Sequence, residues 1–332
     1  MARLVLHIGT HKTGTTMIQN RLHAARAALA DQGVIYPAAG RHTGHHMFLT
    51  DWIALPAAYH QPEGGLAGLS RLADRWRATD ATVILSSEEF SRAGGRGGQV
   101  DFAALRQVFH GYRIRVICVL RSQWQFLQAV YLELSQSAPP PPPADLVAGA
   151  LKTGQVDGLW CDYLRLYDGL RTNFAAGEIR LVDYGAASET RRGLLGEVLR
   201  QAAPNAPLPE LGEPDSRANV SPPPLPVWAA HVVAGGPSPG QDIRAAAEEA
   251  WHLEFGSSRP GTILTRAEIA RLHTRFADGN DRLANRVRGI QPGWHLSDRP
   301  PPDTTLFREE VTPEYWIRLA RRLAMRTARA AA

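Results

Sequence analysis

Residues 3 to 9 read Arg-Leu-Val-Leu-His-Ile-Gly, a short apolar run closed by glycine. Thr10 to Thr16 hold only Thr, His, Lys and Gly. A helical apolar repeat follows through Ile18, Leu22, Ala25 and Leu29, within Met17 to Asp31, and Gly33 stops it. A buried strand that feeds a helix through a polar loop is half of a βαβ unit. Such a unit forces strands to lie parallel and both sheet faces to be covered by helices. The pattern recurs. Ala81 to Ser87, Arg113 to Leu120 and Glu178 to Tyr184 read as further buried strands, and Val34 to Pro37 as a short extended segment. Leu66 to Thr79, Trp124 to Ser137, Gly158 to Phe174 and Arg191 to Ala202 read as helices. The expected fold is α/β and three-layered, with a central parallel sheet flanked by helices.

The rest of the chain is less regular. Ala138 is followed by five prolines, a stiff surface spacer, and 138–157 reads as loop. Residues 204–262 read as an irregular Pro-rich connection, and 263–332 as a helical C-terminal part with helices over Thr265 to Val287 and Pro313 to Ala328. We expect one domain over 1–332, with its core strands within 1–203. An apolar share of 44% is enough for a packed core and excludes disorder for most of the chain. No window approaches ~18 uninterrupted apolar residues, so no membrane insertion is expected. Two cysteines, Cys118 and Cys161, cannot form a disulfide framework, which points to the cytoplasm. The net charge of +5 suits an anionic ligand. The arginines are scattered among acids, so nucleic acid is not expected as partner.

Of the 37 basic residues only two are lysines, Lys12 and Lys152, and each opens a Lys-Thr-Gly. Arg replaces Lys as a generic surface charge, but not where a compact point charge on a thin stem is needed. Lys152 follows no strand and reads as a solvated loop residue. Lys12 lies in the loop after the first strand. A loop there presents backbone N–H groups and the positive end of a helix dipole to an anion. Gly9 and Gly14 permit tight turns, and Thr13, Thr15 and Thr16 add hydroxyls. A nucleotide-triphosphatase loop, G-x-x-x-x-G-K-[ST], has the same glycine spacing, but position 15 is Thr where its Lys belongs.

His11-Lys-Thr-Gly-Thr-Thr16 resembles the 5′-phosphosulfate loop of sulfotransferases, usually Pro-Lys-Ser/Thr-Gly-Thr-Thr. The resemblance is closest to bacterial sulfotransferase-like proteins that share an N-terminal His-x-Gly-x-x-Lys-Thr-Gly-Thr-Thr, here His7 to Thr16. It implies a P-loop-like version of the three-layer α/β fold, 3′-phosphoadenosine 5′-phosphosulfate (PAPS) as co-substrate, its desulfonated form PAP as product, and no metal. His11, Lys12, Thr13, Gly14, Thr15 and Thr16 would then hold the phosphosulfate. The family binds the donor's 3′-phosphate with an Arg at a later strand end and a Ser eight residues on. Arg121 fits the first. Ala129 stands at the second, so Ser122 is the expected substitute.

Sulfuryl transfer needs a base at the acceptor hydroxyl and a cation at the leaving oxygen. Lys12 supplies the cation. In cytosolic members of the family the base is a His at the end of the equivalent strand, which falls here on Glu88 of Ser86-Ser-Glu-Glu-Phe90; some glycan sulfotransferases use Glu. The second candidates are His46 and His45 of the loop His42-Thr-Gly-His-His46. Glu89 and His7 read as structural. The acceptor is expected to be a small molecule or glycan, with a sugar hydroxyl favoured by the eight Trp and eight Tyr. Adenine could stack near Trp160 or on Asn219 to Ser221. Two alternatives stay open: a non-catalytic or degenerate nucleotide-binding P-loop protein, and a P-loop kinase or NTPase.

Overall fold

The structure is a computed structural model that describes residues 1–94, 97–204 and 222–331. The chain opens with β1 (Arg3–His7), α1 (Thr15–Ala24), α2 (Arg26–Ala30), β2 (Val34–Ile35), α3 (Gly65–Trp76), β3 (Thr82–Ser86), α4 (Phe102–Val108) and β4 (Arg113–Leu120). Then come α5 (Gln123–Ser137), α6 (Pro143–Thr153), β5 (Gln155–Val156), β6 (Leu159–Trp160), α7 (Tyr163–Arg171), β7 (Ile179–Asp183), α8 (Tyr184–Glu189) and α9 (Gly193–Ala202). The last elements are α10 (Pro224–Ala234), α11 (Gln241–Phe255), β8 (Gly261–Thr262), α12 (Arg266–Val287), β9 (Leu306–Phe307) and α13 (Pro313–Ala331). They group into two compact units. Unit 1 holds residues 1–122, 153–204 and 276–297, and unit 2 holds 123–152, 222–275 and 298–331.

Unit 1 is built on a five-stranded parallel sheet in the order β2-β3-β1-β4-β7. Leu6 pairs with Leu85 on one side and Val116 on the other. Alternation along each strand sends side chains to opposite faces. Leu4, Leu6, Val83, Leu85, Val116 and Cys118 share one core with α3, α4, α7 and the end of α12. Val5, Ile84, Ile117 and Val119 share the other with α1, α2, α8 and α9. This is the three-layer α/β arrangement that the alternating pattern predicts. Because both faces are covered, the strands are apolar at nearly every position, which is why they stand out in the sequence. The strand order reverses about β1, so the carboxyl ends of β1, β3 and β4 meet at the place where open α/β sheets bind ligands.

Unit 2 contains α10, α11 and α13, packed through Ala229, Ala230, Ala246, Ala247, Ala250 and Trp251 against Tyr315 and Leu319. Small residues let these helices approach closely. Arg318 with Glu254, and Arg326 with Asp242, add ion pairs.

Four expectations change. Within 204–262, residues 222–262 are not irregular, since α10 and α11 lie there; residues 205–221, with Asn219 to Ser221, fall outside the described residues. Residues 138–157 are not all loop, because α6 begins at Pro143 and places Lys152 in its last turn. The reason is the same in both. Proline is tolerated in the first turn of a helix, where its missing N–H has no partner to lose, so these prolines open helices. Thirdly, Gly158 to Phe174 is helical only from Tyr163, after a two-stranded antiparallel pair, β5-β6. Lastly, the helix expected from Met17 to Asp31 breaks at Ala25. Among the described residues no helix is long and apolar enough to cross a membrane.

Candidate functional site

Every candidate residue of unit 1 lies at the carboxyl end of a strand or in the loop beyond it. The loop after β1 is tied to β4: the N–H groups of Ile8 and Thr10 donate to the carbonyls of Ile117 (2.9 Å) and Val119 (3.0 Å). Gly9 is required by close approach. A Cβ there would stand 2.8 Å from Thr13 Oγ1 and 3.3 Å from both His7 Nε2 and Thr15 Oγ1. Gly14, at φ 76°, caps α1 in the left-handed region, which suits glycine. Lys12 adopts φ 63°, one of two non-glycine residues held there among the described residues. Such a conformation costs about 1–3 kcal/mol and persists where its surroundings impose it, commonly at functional loops.

Thr13 is fully buried, and its hydroxyl donates to the Thr10 carbonyl, which closes the loop on itself. Thr15 is also buried, yet its Oγ1 has no partner among the described residues. Thr16 is exposed on the first turn of α1. At the end of β4, Arg121 donates from Nη1 to the Lys12 carbonyl (3.1 Å), and its guanidinium carbon stands 4.8 Å from the centre of the Tyr184 ring. Tyr163 Oη donates to the Arg121 carbonyl (2.6 Å). Arg121 is thereby fixed against the loop, and burial lowers its pKa. Arg121 Nε, the buried Ser122 Oγ and His11 Nδ1 have no partner either. A buried polar group without a partner costs about 1–3 kcal/mol, and each such atom in a native fold calls for an explanation. Thr15, Arg121, Ser122 and His11 belong to the two motifs singled out for the donor, and an anion with several acceptor oxygens would satisfy most of these donors.

The end of β3 carries two neighbouring carboxylates with different surroundings. Glu89 is buried and bonded to His11 Nε2 (3.4 Å) and to Arg92. Burial works to raise its pKa, but the bonds and charges of His11 and Arg92 outweigh it and hold the carboxyl at about 2. Glu89 is thus a fixed anion that anchors the loop after β1 through His11. Glu88 stays partly open, with a side-chain exposure of 21%. Its Oε2 accepts from Gln19 Nε2 (3.1 Å) and lies 3.9 Å from His46 Nε2.

The three loop histidines separate. His45 is fully buried; its Nδ1 accepts from the Ser86 N–H (2.9 Å) and its Nε2 donates to the Pro37 carbonyl (2.9 Å). Burial pulls its pKa to about 4, so it is neutral at pH 7 and serves structure. His46 reaches Ser87 Oγ through Nδ1 (2.7 Å). His42 stacks on Tyr59 with ring centres 4.2 Å apart, and Tyr59 also meets the His46 ring edge-on at 5.3 Å. Burial, then the charges of Glu88 and Glu89, raise the Tyr59 pKa. His7 is fully buried in β1 and bonded to Ser86 Oγ (2.8 Å), and burial lowers its pKa to about 4.

The structure therefore brings the loop residues His11 to Thr16, Glu88, His46, Arg121 and Ser122 to the carboxyl ends of three adjacent strands. Ala129 and Lys152 lie in unit 2. Gln19, Tyr59 and Tyr184 are site neighbours that sequence reasoning passes over. Gln19 carried a signal: it sits in the buried stripe Thr15, Ile18, Gln19, Leu22 of α1, where a polar side chain needs a partner. No family model and no curated protein matches the chain.

Proposed function

We propose that the protein is a sulfotransferase that moves a sulfuryl group from PAPS to a hydroxyl of an acceptor, with a sugar as the first acceptor to test. The observation that supports this reading is the set of buried polar atoms around the β1 loop that have no partner among the described residues: Thr15 Oγ1, Arg121 Nε, Ser122 Oγ and His11 Nδ1. The bound donor supplies an activated sulfuryl group on a phosphate leaving group. Thr15 and the start of α1 hold its 5′ end, and Arg121 with Ser122 holds the 3′-phosphate in place of the Arg–Ser pair usual in the family. Lys12 neutralises charge that develops on the leaving phosphate oxygen. Glu88, the open carboxylate of the β3 end, takes the acceptor's proton. Glu89 has a different role, because His11 and Arg92 hold it as an anion. His42 and Tyr59, stacked on each other close to His46, offer a ring surface for an acceptor.

The test uses radiolabelled PAPS against a panel of sugar and phenol acceptors. Transfer is expected, and both Lys12→Ala and Lys12→Arg are expected to lose it by about 100-fold or more, since the guanidinium is too broad for a single bridging oxygen. A Lys12→Arg protein of near wild-type activity would contradict the role given to Lys12. No transfer to any acceptor, with PAP still bound, would favour a binding module.

A further inference from the structure

Oε2 of Glu88 is bonded to one neighbour and faced by a second. Gln19 is 3% exposed, and its Nε2 donates to Glu88 Oε2 (3.1 Å) and to the Ser86 carbonyl (3.4 Å). His46 Nε2 faces the same oxygen at 3.9 Å. Ser87 Oγ accepts the Glu89 N–H (3.2 Å) and shares a second hydrogen bond with His46 Nδ1 (2.7 Å). In the tautomer where the Ser87 hydroxyl donates to Nδ1, the ring proton sits on Nε2, towards Glu88. The remaining carboxylate oxygen, Oε1, has no hydrogen bond among the described residues.

The gap that admits both side chains is Gly44. A Cβ there would lie 2.5 Å from Gln19 Oε1 and 2.8 Å from His46 Nε2. Gln19 stands on α1, the helix that the phosphate loop opens, so one buried amide ties the donor loop's helix to the end of β3.

We propose that Gln19 and His46 are positioning residues that engage Oε2 of Glu88 and leave Oε1 as the atom that receives the acceptor's proton. The proposal rests on the reading of Glu88 as base. Gln19 acts as the stronger hold, being within hydrogen-bond distance. His46, oriented by Ser87, adds a donor edge towards the same oxygen.

The test has two arms. In the free protein labelled with 15N-histidine, His46 is expected as the Nε2–H form and is expected to lose that preference in Ser87→Ala. An Nδ1–H ring, or a ring indifferent to Ser87, overturns the assignment. In sulfuryl transfer to a methyl glycoside, Gln19→Leu and Gly44→Ala are expected to lower kcat by about tenfold or more and to move the acid limb of the pH profile upward. PAP affinity is expected to stay within about threefold, as only a base-side contact is removed. Equal losses of PAP affinity and kcat, with an unmoved acid limb, overturn the proposal and make Gln19 a structural part of the donor loop. A wild-type protein that binds no PAP overturns the donor reading instead, and the histidine spectrum distinguishes the two failures.

Discussion

His7 and His45 are expected to make stability fall in mild acid. Both are fully buried, and burial lowers each pKa from 6.5 to about 4. A depressed imidazole is neutral in the folded state, while the unfolded chain takes up a proton below pH 6.5. Stability is therefore intact above that pH and is lost as pH falls from 6.5 towards 4. At pH 5 the difference in proton uptake amounts to about 2 kcal/mol for each histidine, or about 4 kcal/mol for the pair, relative to pH 8. Glu89 does not interfere in this window. Its carboxyl is held at about 2, and that contribution is lost only below the ordinary carboxylate range near pH 4.5. The assay is urea unfolding followed by tryptophan fluorescence at pH 8 and pH 5. His7→Asn and His45→Gln are each expected to lower stability at pH 8 while shrinking the fall between the two pH values by about 2 kcal/mol. Single variants that keep the full wild-type fall would refute the argument, because the lost protons must then come from elsewhere.

Two further outcomes follow from the geometry. Gly9→Ala puts a methyl 2.8 Å from Thr13 Oγ1, so it should destabilise by about 1–3 kcal/mol in thermal unfolding and weaken PAP by more than the stability loss explains. Glu88→Gln keeps the shape but removes the proposed base, so turnover should fall by about 100-fold or more with PAP affinity preserved; unchanged turnover would move the base to His46.

The sheet was legible because four of its strands are buried on both faces and so read as continuous apolar runs, from Leu4-Val5-Leu6 to Leu181-Val182. The loop was legible because glycine and threonine are needed there for backbone reasons that act locally. Other parts required three dimensions. His45 and His46 are adjacent and alike in sequence, yet one is fully buried with both nitrogens engaged and the other borders Glu88; only the placement of the 3-10 turn at His46 to Leu49 against β3 separates them. Glu88 and Glu89 separate for the same reason, through Arg92 and His11. Prolines hid the starts of α6 and α10, since proline marks both a break and a first turn. Gln19 was visible as a polar residue in an apolar stripe, but its partner lies 69 residues away in sequence.

The central claim is that the β1 loop with Arg121 and Ser122 holds the adenylate of a sulfuryl donor. Isothermal titration calorimetry of the full chain tests it directly. PAP is expected to bind in EDTA with a micromolar or tighter Kd, to bind more strongly than ATP with Mg²⁺, and to lose affinity by about tenfold or more in Arg121→Ala. Tighter binding of ATP with Mg²⁺, or PAP binding indifferent to Arg121, would contradict the account.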